Sequence, residues 1–390
     1  MTRWENYLTT AEKIIDTFDG TQPLHHFLKA FFKQHPHMGS RDRRWVSQLV
    51  YAFYRLGQLW KNAMPVKERI FLALFLCDQQ PNELLTFFRP NLATDISRPL
   101  TEKWSLYSNK GSTPALEDIF PFTGELSPGV DPAAFTASFL SQPQLFIRTR
   151  NNKQQAIINL LLQAGINHQE IGNDVLSLPN STKIDTIITN KSWYEIQDAS
   201  SRQTGQLLHP KAGERWWDCC AASGGKSLLL LDKEPRIRLT VSDIRKSILH
   251  NLEQRFRDAG VKQYESKILD LSVPLPPATF SGQSFDHILL DAPCSGAGTW
   301  ARTPENLYFF HRDKINAFRQ LQQRIAINVI PFLKQGGTLT YITCSVFREE
   351  NEAVIQYLLD NTSLEKETGG IITGYTRGAD SMFAVQLRKA

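Results

Sequence analysis

Along the first ninety residues, apolar positions recur at helical spacing. In "RRWVSQLVYAFYRLGQLW", Val46, Leu49, Val50, Phe53, Tyr54 and Leu56 fall close to a 3.6-residue period, and "KERIFLALFLC" continues in the same manner. The pattern predicts a small all-helical domain. From 91 to 143 it breaks up around Pro99, Pro114, Pro121, Pro128, Pro132 and Pro143, which predicts a winding connection with short helices. The period then changes. "QLFIRTR" (144–150) predicts a strand, "NKQQAIINLLLQAGI" a helix closed by Gly165, and "DTIITN" (185–190) a further strand. The expected organisation is therefore a helical domain over 1–140, a small α/β domain over 141–190, and a larger domain over 191–390.

In the larger domain strand and helix patterns alternate. "RWWDCC", "RLTVSD", "FDHILLD" and "TLTYITC" predict strands. Between them "KSLLLLD", "IRKSILHNLEQRFRDAG" (ended by Gly260) and "DKINAFRQLQQRIAINVIPFL" (stopped by "KQGG") predict helices, and "REENEAVIQYLLDN" predicts one more. Such alternation makes a mostly parallel sheet covered on both faces. Ligands in such sheets bind beyond the carboxyl ends of the strands. Cys294, just past "HILLD", and Cys344, at the end of "TLTYIT", both fall there. A purely structural cysteine belongs more naturally in mid-strand, under a covering helix.

Composition narrows the class. The chain has 390 residues, 41% hydrophobic and 21% charged, which suits globular domains rather than disorder. No apolar run approaches the roughly 20 residues that span a bilayer. The start, "MTRWENYLTTAEKIID", lacks a signal-peptide pattern, so a cytoplasmic protein without a membrane partner is expected. The five cysteines, Cys77, Cys219, Cys220, Cys294 and Cys344, are odd in number and contain no C-x-x-C, which argues against a disulfide framework and against a metal site. The net charge of +5 permits an anionic partner such as RNA without requiring one.

"DCCAASGGKS" invites a phosphate-loop reading, but G-x-x-x-x-G-K-[ST] would need glycine at position 220, which is Cys220. A glycine turn after the first strand still suits a ligand that approaches the backbone closely. Asp243, ending "RLTVSD", is placed to accept hydrogen bonds from ribose hydroxyls, and alternatively to cap the next helix. Asp270, in "KILD", is placed for an adenine edge. Nucleoside recognition without a phosphate loop points to S-adenosylmethionine.

"DCCAASGGKS", "FDHILLDAPCSGAGTWARTPE", "GGTLTYITCSVFREENE" and "GADSMFAVQLRK" resemble, in order, motifs of the bacterial Sun/Fmu-type RNA cytosine-5 methyltransferases. "WYEIQDASS" is similar to that family's entry motif. The resemblance covers about 190–390. The region 144–190 resembles the family's small preceding domain, and 1–140 is loosely similar to its NusB-like helical RNA-binding domain. One departure is visible: the first motif usually reads A-A-P-G-G-K, and here Ser223 replaces the proline.

The resemblance implies a class I, Rossmann-like α/β fold and 5-methylcytosine formation in RNA, ribosomal RNA by analogy with the helical domain. Transfer RNA, DNA, or a non-catalytic assembly role on the same scaffold are the alternatives. Carbon-5 of cytosine is a poor nucleophile. A thiolate added at carbon-6 makes carbon-5 enamine-like, and a base must later remove the carbon-5 proton. The resemblance assigns attack to Cys344 and release to Cys294. It places Asp291 on the cytosine ring through N3 and the exocyclic amine, and gives Lys226 an orienting role. It implies that S-adenosylmethionine is held by Cys220, Ala221, Ala222, Ser223, Gly224, Gly225 and Lys226, with Asp243, Asp270 and Asp291. Ordinary readings stand beside these. Cys219 and Cys220 also suit packing or turn positions, Cys77 a core. "SRDRR" (40–44) suits a solvated face as well as an RNA-contacting patch. Trp45, Tyr51, Phe53 and Tyr54 sit at core spacing.

Overall fold

The computed structural model describes residues 2–108, 115–172 and 174–390, so Pro114 lies outside them. The chain forms two compact units that are not consecutive in sequence. One comprises Met1–Gly124, Asp131–Gln142 and Trp300–His311, and the other comprises the remainder.

The first unit is helical. Its central helix, Ser40–Arg55, buries Val46, Leu49, Val50, Phe53 and Tyr54, whereas Trp45 and Tyr51 are only half-buried. The next helix, Val66–Cys77, is buried along nearly its whole length, including Arg69. Arg69 donates to the carbonyls of Phe53, Leu59 and Gly57, which satisfies backbone groups left free where the preceding helix ends. Trp300–His311 belongs here because Gln58 donates to Leu307 O (2.8 Å) and Tyr308 O (2.9 Å), and Glu305 accepts from Leu24 N. In "SRDRR", Asp42 accepts from Gly39 N (2.8 Å) and Tyr7 Oη (2.6 Å), so this residue serves the helix start.

The second unit holds two sheets. The smaller joins β1 (Leu145–Thr149), β2 (Gln169–Glu170), β3 (Val175–Leu178) and β4 (Tyr194–Ile196) in the order β2-β3-β1-β4, all antiparallel. Its core gathers Ile147, Ile157, Leu161, Leu176 and Tyr194. The strand expected at "DTIITN" is instead a short helix, Ile184–Ile187. Ile184, Ile187 and Ile188 fit one helical turn as well as a strand, and four residues are too few for period to decide. Asp185 accepts from Tyr194 Oη at 2.6 Å, and β4 takes the edge position instead.

The larger sheet has seven strands: β5 (Arg215–Asp218), β6 (Arg238–Asp243), β7 (Glu265–Ile268), β8 (Phe285–Asp291), β9 (Leu333–Thr343), β10 (Leu364–Ile372) and β11 (Met382–Lys389). Their order is β10-β11-β9-β8-β5-β6-β7, and only β11 opposes the common direction. Successive side chains point to opposite faces. Trp216, Leu289 and Ile342 therefore join one core with Leu228, Leu252 and Phe256, while Trp217, Leu290 and Tyr341 join the other with Val329 and Leu358. The helix expected to run to "KQGG" ends earlier, at Val329, because Pro331 lacks the N–H that a further turn needs. "KQGG" lies within the start of β9.

Beyond β8 the chain stays beside β9. Ala292 N donates to Ile342 O (2.8 Å), Gly298 N to Cys344 O (2.9 Å), and Ser381 N to Gly298 O (2.9 Å). Residues 125–130 run along the chain just after Cys344, with Ser127 N donating to Val346 O at 2.8 Å. Among the described residues, no helix is long and apolar enough to cross a membrane.

Gly298 sits where three backbones meet. A Cβ there would lie 2.0 Å from Ser381 O and 3.0 Å from Cys344 O. Gly298→Ala is therefore expected to destabilise the protein by about 2–4 kcal/mol. Denaturant titration checks this, and unchanged stability would show that the junction is loose.

Candidate active site

The chain leaves β5 and reaches β6 and β7 on one side of the sheet. It then returns to β8 on the other side. This reversal opens a crevice at the carboxyl ends of β5 and β8. Asp218 ends β5, Asp243 ends β6 and Asp291 ends β8, so three acidic groups face this edge.

The turn 219–225 is built on backbone hydrogen bonds. Ala221 N donates to Ser242 O (2.9 Å), Ala222 N to Asp243 Oδ2 (3.2 Å) and Gly224 N to Ala221 O (2.8 Å). Gly224 has φ +82°, and a Cβ there would meet Phe256 at 2.7 Å. Only glycine fits that position without strain. The helix Gly225–Lys233 starts here. Ser223 Oγ accepts from Arg255 Nη1 at 3.0 Å, and Arg255 also pairs with Glu195 at 2.7 Å. Cys219 lies in the core under the sheet, and Cys220 packs partly buried against it.

Lys226 is buried at the helix start and donates to Asp291 Oδ2 at 2.6 Å. Burial alone would lower its pKa, but the Asp291 carboxylate outweighs that and holds the ammonium above its ordinary value. Asp218 is fully buried, and its pKa is pushed up to about 7 by burial, against the opposing hydrogen bond from Ser227 Oγ (2.6 Å). Its Oδ1 is buried without a hydrogen-bond partner. Asp243 moves the other way. Burial opposes ionisation there, but hydrogen bonds from Arg245 side chain and backbone hold its pKa below the ordinary range. Arg245 thus occupies the carboxylate expected to meet a ribose.

Cys294 and Cys344 lie with their sulfur atoms 3.3 Å apart. The Cys294 pKa is raised well above the ordinary thiol value, chiefly by the hydrogen bond to Cys344, and further by burial. Cys294 therefore keeps its proton at neutral pH. Asp270 stands two residues beyond β7, exposed, and accepts from Ser272 N (2.9 Å) and Ser272 Oγ (2.6 Å) in its own turn. Nearby strand ends carry the exposed apolar side chains Ile244 and Ile268. Such surface suits a flat apolar ring more directly than the turned-in Asp270 does. Among the described residues, no group of three or more His, Cys, Asp or Glu is placed to hold a metal ion.

Sequence reasoning on single residues did not single out Asp218, Glu350 or Gln322. Glu350 is buried and accepts from Ser295 N (2.8 Å), Ser345 Oγ (2.8 Å) and Gln322 Nε2 (3.0 Å). The available signal for Glu350 was its place in "REENE", which reads equally as a solvated acidic run.

Sheet order, the glycine turn at the switch point and acidic strand ends together define a class I, Rossmann-like methyltransferase fold. Residues 205–378 match the family model of the 16S rRNA methyltransferases RsmB/F. The ribosomal RNA small subunit methyltransferase B of Cronobacter sakazakii is 34% identical over 213 residues, 51% of this chain and 48% of that protein. The chain spans about half the length of the curated relatives it matches. The crystal structure of PH0851 superposes with TM-score 0.71 at 20% identity, covering 94% of this chain and 95% of that one. A methyltransferase homolog from Pyrococcus horikoshii gives TM-score 0.59 at 23% identity, covering 75% and 99%. At these identities the two structures share the fold.

The Asp218 pKa gives a stability signature. Its folded value lies above the ordinary 3.8, so the folded state binds the proton more tightly. Stability must then fall as pH rises from the ordinary value towards about 7, by up to about 1.4 kcal/mol per pH unit, and level off above. Asp218→Asn removes this contribution. Its melting temperature should gain on the wild type between pH 5 and pH 8, measured without ligand. A constant difference across that range would show that Asp218 is ionised throughout.

Proposed function

We propose that the protein transfers a methyl group from S-adenosylmethionine to carbon-5 of a cytosine in RNA, with ribosomal RNA as the substrate class. The observation that carries this reading is the pair of sulfur atoms 3.3 Å apart, next to the strand end that holds the Lys226–Asp291 ion pair. The match to the rRNA methyltransferase model supports the substrate class.

The residues fit the cofactor. The glycine turn lies at the switch point, Asp243 stands at the neighbouring strand end, and Ile244 and Ile268 offer apolar surface. Cys220 to Lys226, with Asp243 and Asp291, would hold it, and Asp270 would serve at the rim. When bound, it supplies an electrophilic methyl on a sulfonium sulfur.

Cys344 adds its thiolate to carbon-6, and the displaced electron pair makes carbon-5 nucleophilic. Asp291 holds the ring by accepting from the exocyclic amine and from N3 in its protonated form, which neutralises the added charge, and Lys226 keeps Asp291 oriented. Carbon-5 takes the methyl. Cys294 then releases its proton to water and, as thiolate, takes the carbon-5 proton. The carbon-6–sulfur bond breaks, and the carbon-5–carbon-6 double bond re-forms.

Labelled-methyl transfer should appear with total RNA and not with DNA, and bisulfite sequencing of RNA from a deletion strain should locate the cytosine. Cys344→Ala should abolish transfer and leave no adduct. Cys294→Ala should transfer once and stall as a covalent protein–RNA adduct on a denaturing gel. An adduct in Cys344→Ala alone would reverse the two roles, and transfer to DNA alone would overturn the reading.

A further inference from the structure

The loops carrying the two cysteines are tied together from beneath by one buried side chain. Glu350 Oε2 accepts from Ser295 N (2.8 Å), the residue after Cys294. Its Oε1 accepts from Ser345 Oγ (2.8 Å), the residue after Cys344. Gln322, on the helix Asp313–Val329, donates both to Glu350 Oε2 (3.0 Å) and to Pro293 O (3.0 Å), the residue before Cys294. The peptide units on either side of Cys294 are therefore gripped. Ser295 Oγ lies 3.2 Å from Ser345 Oγ, which closes the ring. Glu350 is itself anchored, because Tyr341 Oη donates to its carbonyl at 2.7 Å.

A carboxylate in a 0%-exposed site is costly unless it is used. Packing alone does not need one here, since an apolar side chain of similar size fills space without desolvating charge. The hydrogen bonds, however, converge on the residues that flank the two sulfur atoms. Resting on the reading that these sulfurs attack and release cytosine, we propose that Glu350 is a positioning residue: through Ser295 and Ser345 it holds Cys294 and Cys344 at their mutual distance. It touches neither substrate nor cofactor. A thiol that must reach carbon-6 and one that must reach carbon-5 act on adjacent atoms of one ring, so their separation has to be held within a fraction of an ångström.

The test uses the full chain and two readouts. Phenylarsine oxide binds two thiols at once, forming two arsenic–sulfur bonds with loss of water. The capture that disappears in Cys294→Ala reports the Cys294–Cys344 pair and excludes the adjacent Cys219 and Cys220. Glu350→Gln keeps an acceptor for Ser295 N and a polar partner for Ser345, and should capture the arsenical like the wild type. Glu350→Ala should weaken that capture, and its kcat for methyl transfer should fall roughly 10- to 100-fold with KM for RNA unchanged. Ser345→Ala removes one link while leaving the carboxyl in place. It should weaken capture too, and it serves if Glu350→Ala does not fold. Wild-type capture in Glu350→Ala, or in Ser345→Ala where the first variant is unfolded, would overturn the proposal. So would Glu350→Gln failing as badly as Glu350→Ala, since that would place the role in charge rather than in hydrogen bonding. A wild type that captures the arsenical as described but methylates no RNA would overturn the proposed function and leave the positioning role standing.

Discussion

The site depends on one constraint: β8 and β9 are parallel neighbours, and their pairing continues past the strand ends. Adjacent parallel strands lie about 4.8 Å apart and finish at the same edge of the sheet, so the loops that follow them emerge side by side. Ala292 and Gly298 extend the contact by donating to Ile342 O and Cys344 O. Sulfur atoms fifty residues apart in sequence are thereby brought to 3.3 Å. Were β8 and β9 separated by another strand, the distance would be about 10 Å, and the two sulfur atoms would not meet. Gly298 is the point at which this arrangement also meets β11, and its lack of a side chain lets three backbones approach.

Charge at the same edge is arranged so that few ions are buried without partners. Lys226 is committed to Asp291, Asp243 to Arg245, and Asp218 is the exception. Asp218 has only the Ser227 hydroxyl, and burial lifts its pKa into the neutral range, so it keeps its proton through mildly acidic conditions. Glu350 is likewise raised by burial, but Ser295, Ser345 and Gln322 oppose that rise. The difference between the two acids is the number of donors each is given. Asp218 sits behind the turn with a single donor, whereas Glu350 connects the segments that carry Cys294 and Cys344.

The alternation of strands and helices after residue 200 was readable because β6, β8, β9 and the helices Lys246–Asp258 and Asp313–Val329 are long enough to show a clear period. The positions of Cys294 and Cys344 past their strands followed from that alone. Lys226 and Asp291 were named separately; that they form an ion pair needed the neighbour relation between β5 and β8, which no local pattern encodes. "DTIITN" misled because a four-residue turn carries too little periodicity. The early end of the Asp313–Val329 helix was signalled by Pro331, which outweighs the apolar residues that follow. Asp270 stood at a plausible strand end, but its carboxylate folds onto Ser272, a local hydrogen bond that competes with any ligand. Trp300–His311 reads as continuous with the residues around it, and its membership of the helical unit is a purely tertiary fact.

Ser223 shows how a departure from a family pattern can be offset within one structure. A proline in this turn would fix its own φ and reduce the freedom of the unfolded chain. Serine does neither, and the turn contains Ala222 at φ +46°, a left-handed conformation that costs about 1 kcal/mol for a residue with a side chain. Something must hold that geometry. The Ser223 hydroxyl accepts from Arg255, whose own position is set by Glu195 on β4 and by the helix that follows β6. Arg255 also lies 3.5 Å from where a Cβ on Gly225 would stand, so it covers the turn as well as bonding to it. Restraint that a ring would supply locally is thus supplied by a side chain reaching from another element. The geometry of the turn then depends on the packing of the small sheet against its neighbour helix, both within the second unit.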